Sequence, residues 1–195
     1  MENPSDISYL KNQIRKKLRA QRALLTLEER TTAAEKITTQ LKNMPFFKNA
    51  LSIALYMPLH GEVETAFIRK LAYEKGKHCY LPRLTPPFLQ FHATLPKTPL
   101  FPNQWGILEP PTNTLSLAAQ KLDLVLLPLV AFDEKGNRLG MGGGYYDQTF
   151  AFKKNQASPL LVGLAYAFQQ VNCVPHNELD VYLDAIITEN QIWYR

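Results

Sequence analysis

The run from Leu122 to Leu127, apolar apart from Asp123 and closed by Pro128, constrains the fold more than any other stretch of the chain. It is short, and apolar at consecutive rather than alternate positions, which is the pattern of a central strand covered on both faces. A turn-rich loop, Asp133 to Arg138, leads to a glycine cluster and then to a segment predicted to be helical from about Tyr145 to Lys153. Strand, glycine-rich loop and helix in that order place the loop where α/β sheets bind ligands, outside the carboxyl ends of the strands.

Leu51 to Met57, bounded by Pro58 and Gly61, reads as a second doubly covered strand, with further strands at His78–Leu81, Leu160–Ala165 and Ala185–Thr188. Thr65 to Lys75, stopped by Gly76, reads as a helix. Near the start, Leu10 to Arg22 carries an apolar column (Leu10, Ile14, Leu18) beside a basic one (Lys11, Arg15, Arg19, Arg22). Thr26 followed by Glu29 has capping-box spacing and predicts a second helix reaching about Met44. The alternation of strands and helices predicts an α/β sheet behind an N-terminal helical pair. From Pro82 to Pro111 frequent prolines keep regular structure short: one edge strand is expected at Phe88–Thr94, with Phe88, Phe91, Phe101 and Trp105 partly buried.

With 195 residues, 46% hydrophobic and 20% charged, a single domain over residues 1–195 is expected. The longest apolar stretch, Leu122 to Phe132, is interrupted and far too short for a membrane span, and the polar opening of the chain lacks the pattern of a secretory signal. A cytoplasmic protein without a membrane partner is expected. Cys79 and Cys173 form no C-x-x-C pair and are expected to be reduced core residues, and His60, His78, His92 and His176 have no metal-binding spacing. The net charge of +5 points to an anionic partner: nucleic acid, phospholipid, nucleotide or a small polyanion.

The residues around the glycine cluster narrow that choice. Gly140, Gly142, Gly143 and Gly144 let the backbone approach a ligand closely, and consecutive N–H groups at a helix start can cradle a phosphate; a tight packing turn is the plainer alternative. Neither the Walker A pattern nor G-x-G-x-x-G is present. Arg138, just ahead of the cluster, can supply the cation that a P-loop draws from its lysine. Asp147 can meet a magnesium ion or merely complement a helix dipole. The column Lys11, Arg15, Arg19 and Arg22 is either a solvated face or part of a phosphate pocket. Glu62, after the first buried strand, is either a surface carboxylate or a group that grips paired ring N–H donors.

Taken in order, several segments resemble the 5-formyltetrahydrofolate cyclo-ligase family. They are Lys11 with Arg15, Tyr56-Met57-Pro58 leading to Gly61–Thr65, Leu81-Pro82-Arg83, Trp105-Gly106-Ile107 with Glu109-Pro110, Asp123–Pro128, Ala131–Asp133, Gly136–Asp147, Gly163–Ala165 and Leu183-Asp184. The resemblance implies a three-layer α/β/α sandwich with a mostly parallel, mixed central sheet. It implies ATP-dependent closure of 5-formyltetrahydrofolate to the 5,10-methenyl form through a phosphorylated formyl group. On that resemblance Lys11, Arg15 and Arg138 act on the phosphates, and Leu139, Gly140, Met141, Gly142, Gly143, Gly144, Tyr145 and Tyr146 wrap the nucleotide. Met57, Glu62, Trp105 and Tyr145 line the folate pocket, and Asp147 and Asp184 hold Mg²⁺. A monomer without nucleic acid is expected. Two rivals remain at this level: a basic RNA- or nucleotide-binding module and a small-molecule kinase that releases a phosphorylated product.

Overall fold

The computed structural model describes residues 4–195. Helix α1 (Pro4–Ala23) is followed by α2 (Leu27–Asn43), which starts on the predicted capping box. Thr26 Oγ1 accepts from the Glu29 N–H at 3.2 Å, and Glu29 Oε2 accepts from the Thr26 N–H at 2.8 Å. Met44 is extended ahead of Pro45 and ends α2, and Pro45 opens the short α3 (Pro45–Asn49). In chain order there follow β1 (Ser52–Ala54), α4 (Ala66–Glu74), β2 (His78–Thr85), β3 (Phe88–Thr94), β4 (Phe101–Pro102), β5 (Leu108–Glu109) and β6 (Ser116–Leu117). The second half holds β7 (Leu124–Pro128), β8 (Ala131–Phe132), β9 (Arg138–Leu139), α5 (Tyr145–Thr149), β10 (Leu160–Leu164), β11 (Ala185–Ile187) and β12 (Ile192–Tyr194).

Eight strands form one sheet in the order β12-β11-β10-β7-β1-β2-β3-β6, while β4 with β5 and β8 with β9 make separate ribbons. The inner neighbours from β11 through β2 are parallel, and the pairs toward both edges are antiparallel. The predicted central strand is central: Leu124 pairs with both Ile53 and Leu160, and its neighbours Val125 to Leu127 are wholly buried. Successive side chains of β7 enter opposite layers. Leu124 and Leu126 join Ile37 and Leu41 of α2 and Ile68 of α4, whereas Val125 and Leu127 join Phe132, Phe150 and Ile186 on the other face. The result is a three-layer α/β/α sandwich. The two N-terminal helices serve different cores, because α1 uses Ile14 and Leu18 to cover Val130, Ala131 and Leu139 beyond the end of β7.

Several elements differ from the sequence expectation, each for a local reason. β1 ends at Ala54; Leu55 N–H still donates to the Tyr80 carbonyl at 2.9 Å, and the chain then leaves the sheet. β2 runs on through Pro82 to Thr85, which is tolerated because β1 pairs with it only as far as Tyr80. The helix expected to reach Lys153 is α5 alone, followed by a 3₁₀ turn at Ala151–Lys154: Thr149 Oγ1 accepts from the Leu89 N–H at 2.9 Å, and Phe150 is drawn into the core. Cys79 is buried as expected, but Cys173 is exposed, lying in the irregular stretch between β10 and β11. Of the four aromatics in the proline-rich stretch only Phe91 is in the core; Phe88, Phe101 and Trp105 are about half open to solvent.

Candidate active site

A cleft of about 560 Å³ lies where β1 and β7 end and the chain turns away from the sheet. It brings together the residues singled out for a functional role, except Asp184 and the outer members of the basic column, Arg19 and Arg22. One wall is the glycine loop with Lys11 and Arg15 of α1. The other is the chain after β1, carrying Met57 and Glu62, faced by Trp105 from the turn between β4 and β5.

The loop wall is built on close backbone approach. Gly142 and Gly144 have φ of +108° and +68°, conformations that favour glycine. A Cβ on Gly142 would sit 3.6 Å from the Arg15 guanidinium, and one on Gly143 would meet the Tyr145 ring at 2.9 Å. Arg15 Nε donates to the Gly140 carbonyl at 2.9 Å and so ties α1 to the loop. Since α5 is a single short turn of helix, its dipole contributes little, and the positive potential of this wall rests on side chains.

Those side chains are already partnered. Lys11 Nζ donates to Asp180 Oδ2 at 2.8 Å, and the buried Arg138 donates from Nη1 to Asp147 Oδ1 at 2.9 Å and to the Val181 carbonyl at 3.3 Å. Burial lowers the Arg15 pKa, and the charge of Asp180 partly offsets that. Asp147 Oδ1 also accepts from the Val181 N–H, whereas Oδ2 accepts no hydrogen bond among the described residues. A carboxylate with one oxygen free in a cleft suits a magnesium ion that takes its remaining ligands from water and phosphate. Asp184 does not suit that role. Its carboxylate is taken by Lys153 Nζ at 3.0 Å and by the Leu161 N–H at 2.7 Å, and it pins β10 outside the cleft. Among the described residues no three His, Cys, Asp or Glu side chains converge as a metal centre.

The opposite wall carries a buried carboxyl. Glu62 is buried, and burial pushes its carboxyl up to about 7, against the opposing pull of the Leu59 N–H, which donates to Oε2 at 3.0 Å, and of the Arg22 charge. Burial also raises Tyr56 and Tyr146, so both stay neutral phenols. Trp105 is held by Asn103, whose Oδ1 accepts from the Trp105 and Ile107 N–H groups. Asn103 in turn donates to Glu109 Oε1 at 2.7 Å; Glu109 also accepts from the Leu84 N–H and pairs with Arg83 at 3.5 Å, anchoring the β4–β5 ribbon to β2.

Sequence reasoning missed Asp180 and the anchoring role of Glu109. Asp180 lies far from Lys11 in sequence, and no local pattern marks it. Glu109, beside Pro110, and Arg83 stood in the ordered motif without an assigned role. The basic column also divides: Lys11 and Arg15 face the cleft, Arg19 is exposed and Arg22 is buried, so α1 does not present one solvated cationic stripe.

A model of the 5-formyltetrahydrofolate cyclo-ligase family matches residues 7–189. The Haemophilus influenzae 5-formyltetrahydrofolate cyclo-ligase is 41% identical over 181 residues, covering 91% of this chain and 96% of that protein. The Escherichia coli K12 protein of the same name is 34% identical over 184 residues, covering 90% of this chain and 98% of that protein. Among solved structures, the Aquifex aeolicus 5,10-methenyltetrahydrofolate synthetase superposes with a TM-score of 0.83 at 32% identity, over 95% of this chain and 92% of that one. The Mycoplasma pneumoniae 5,10-methenyltetrahydrofolate synthetase, at 24% identity and a TM-score of 0.75, shares the fold over 92% of this chain and 99% of that one.

Proposed function

This chain belongs to the 5-formyltetrahydrofolate cyclo-ligase family, and from that membership we propose that it closes 5-formyltetrahydrofolate to 5,10-methenyltetrahydrofolate, converting ATP to ADP and phosphate. The observation that carries the reading is the pairing of two unlike walls in one cleft: a glycine loop with cations, and a buried carboxyl with an aromatic ring.

On this reading the triphosphate lies along Gly140–Gly144 between Lys11, Arg15 and Arg138, with Tyr145 and Tyr146 closing the loop beside it. The pteridine lies between Met57, Trp105 and Tyr145, with its paired ring N–H groups donating to Glu62. A formyl oxygen is a poor leaving group, so it first attacks the γ-phosphorus, and ADP departs as the P–O bond breaks. The neighbouring folate amine then attacks the activated carbon, and the C–O bond breaks to release inorganic phosphate, which can carry off the amine proton. The protein aligns two substrates and neutralises charge, and needs no nucleophile of its own. Asp147 is the residue of this chain that would hold a magnesium ion, which when bound would add charge neutralisation at the phosphates; Asp184 acts instead as a structural partner of Lys153. We further propose that the enzyme acts as a cytoplasmic monomer on small molecules, without nucleic acid or membrane. Among the described residues no helix is long and apolar enough to cross a membrane.

The test is direct. The purified chain with ATP, Mg²⁺ and 5-formyltetrahydrofolate should develop the methenyl chromophore with one phosphate released per turnover. ATP hydrolysis without the chromophore, or a stable phosphorylated product by mass, would overturn the reading.

A further inference from the structure

Arg22 occupies the fourth place in the basic column of α1, yet it is only 2% exposed and makes no ion pair among the described residues. Its guanidinium donates from Nε to the His60 carbonyl at 3.1 Å and from Nη1 to the Leu129 carbonyl at 3.3 Å, and Nη2 finds no partner among the described residues. Those two carbonyls belong to different lips of the cleft. His60 is in the loop after β1 that carries Glu62, and Leu129 is in the turn between β7 and β8.

The loop needs a clamp. His60 has φ of +51°, the only positive value at a non-glycine residue among those described, and Gly61 follows at +77°. A Cβ on Gly61 would lie 3.5 Å from the Arg22 carbonyl oxygen and 3.6 Å from its Cγ, so α1 and the loop are in close contact at this point. Burying a guanidinium against two carbonyls, with one nitrogen unsatisfied, is less favourable than filling the same space with an apolar side chain. The charge therefore calls for a use beyond packing. Glu62 lies two residues after the His60 carbonyl that Arg22 holds, and each charge favours the ionised form of the other.

We propose that Arg22 is a positioning residue of the folate site, fixing the His60–Gly61–Glu62 loop against the Leu129 turn and supplying the positive charge that faces the Glu62 carboxyl. The inference rests on the cyclo-ligase reading, because it concerns how Glu62 receives the pteridine. The ionisable groups facing Glu62 are Arg22 from α1, Tyr56 after β1 and Tyr146 from α5, and Tyr166 after β10 donates to the Glu62 carbonyl at 3.5 Å. The tyrosines are neutral and His60 is exposed, so Arg22 is the buried cation of the group.

The experiment is a mutant cycle read across pH. Arg22→Met should raise KM for 5-formyltetrahydrofolate about tenfold at pH 7 while kcat changes less than about threefold. It should also move the acidic limb of kcat/KM up by about one pH unit, with KM at pH 9 falling only to the level set by loss of the fork. Arg22→Lys keeps the charge and loses the fork, so the limb should return to its wild-type position while KM stays raised. In a Glu62→Gln background, either change should have little further effect on KM, since the carboxylate that Arg22 positions and faces is gone. An unchanged limb in folded Arg22→Met, or the same fold-loss in both backgrounds, overturns the proposal. If Arg22→Met does not fold, Arg22→Lys with and without Glu62→Gln completes the cycle, and a wild-type KM or additive losses there overturn it equally. Wild-type turnover is the control: without it the cyclo-ligase reading falls, and that failure is distinct from a wild type that turns over beside an indifferent Arg22.

Discussion

The two walls of the cleft hold their charges in opposite ways. On the glycine-loop wall Lys11 and Arg138 are partnered in advance by Asp180 and Asp147, at 2.8 and 2.9 Å. On the other wall Glu62 is buried with no ion pair among the described residues, opposite an arginine whose own hydrogen bonds go only to carbonyls. A phosphate entering the first wall exchanges one anion for another, while a pteridine entering the second completes a group left wanting. Affinity for the nucleotide should therefore respond chiefly to competing charge, and affinity for the folate chiefly to pH.

The largest expected break in this contrast is Arg138→Ala. Removing a preorganised charged donor should lower kcat several hundredfold, by the precedent of losing one such donor to a transition-state charge. Single-turnover kinetics in a variant with an intact circular-dichroism spectrum would check it. Next comes Glu62→Gln, which should raise KM for 5-formyltetrahydrofolate about thirtyfold at pH 8, the scale of one charge-assisted hydrogen bond, while leaving KM for ATP within about twofold. Steady-state titration of both substrates measures the split, and equal changes in the two would merge the walls into one.

The same substitution sharpens the contrast through stability. The folded Glu62 carboxyl is raised from its ordinary 4.5 to about 7, so the folded state is relatively most stable below 4.5 and loses that advantage as pH rises through 7. Glu62→Gln removes the penalty: urea denaturation should show the variant gaining up to about 3 kcal/mol over wild type at pH 9, with the gain vanishing near pH 4. Opposite or pH-independent behaviour would mean that the carboxyl is not desolvated. The smallest effect is expected from Asp180→Asn, which frees Lys11. Because that ion pair is partly open to solvent, KM for ATP should fall by less than about fivefold, and less still in high salt.

How much of this could be read from the residues follows the range of the interactions. The glycine loop, the Thr26–Glu29 cap and the central strand are signalled within a few positions of themselves, and each was legible. The N-terminal column was legible as a column but not in its fates. Whether Arg19 meets water or Arg22 meets the His60 carbonyl depends on where α1 crosses the sheet edge, which no periodicity within the helix records. Asp184 was placed at the metal by resemblance, and the structure hands it to Lys153 and the Leu161 N–H. Lys153 lies in the 3₁₀ turn that follows α5, where the sequence suggested a continuous helix. Asp180 was invisible for the same reason: its partner Lys11 belongs to the first helix, and only the folded chain brings the two together.

The claim that one wall exchanges charge while the other completes a buried carboxyl is tested most directly by calorimetric titration of 5-formyltetrahydrofolate into the protein between pH 6 and pH 9, for wild type and Glu62→Gln side by side. Wild type should weaken about tenfold per unit as pH falls below 7, with proton release on binding there, and the variant should bind weakly with no such slope. Parallel pH profiles for the two proteins, or a wild-type affinity flat across the range, would contradict the account.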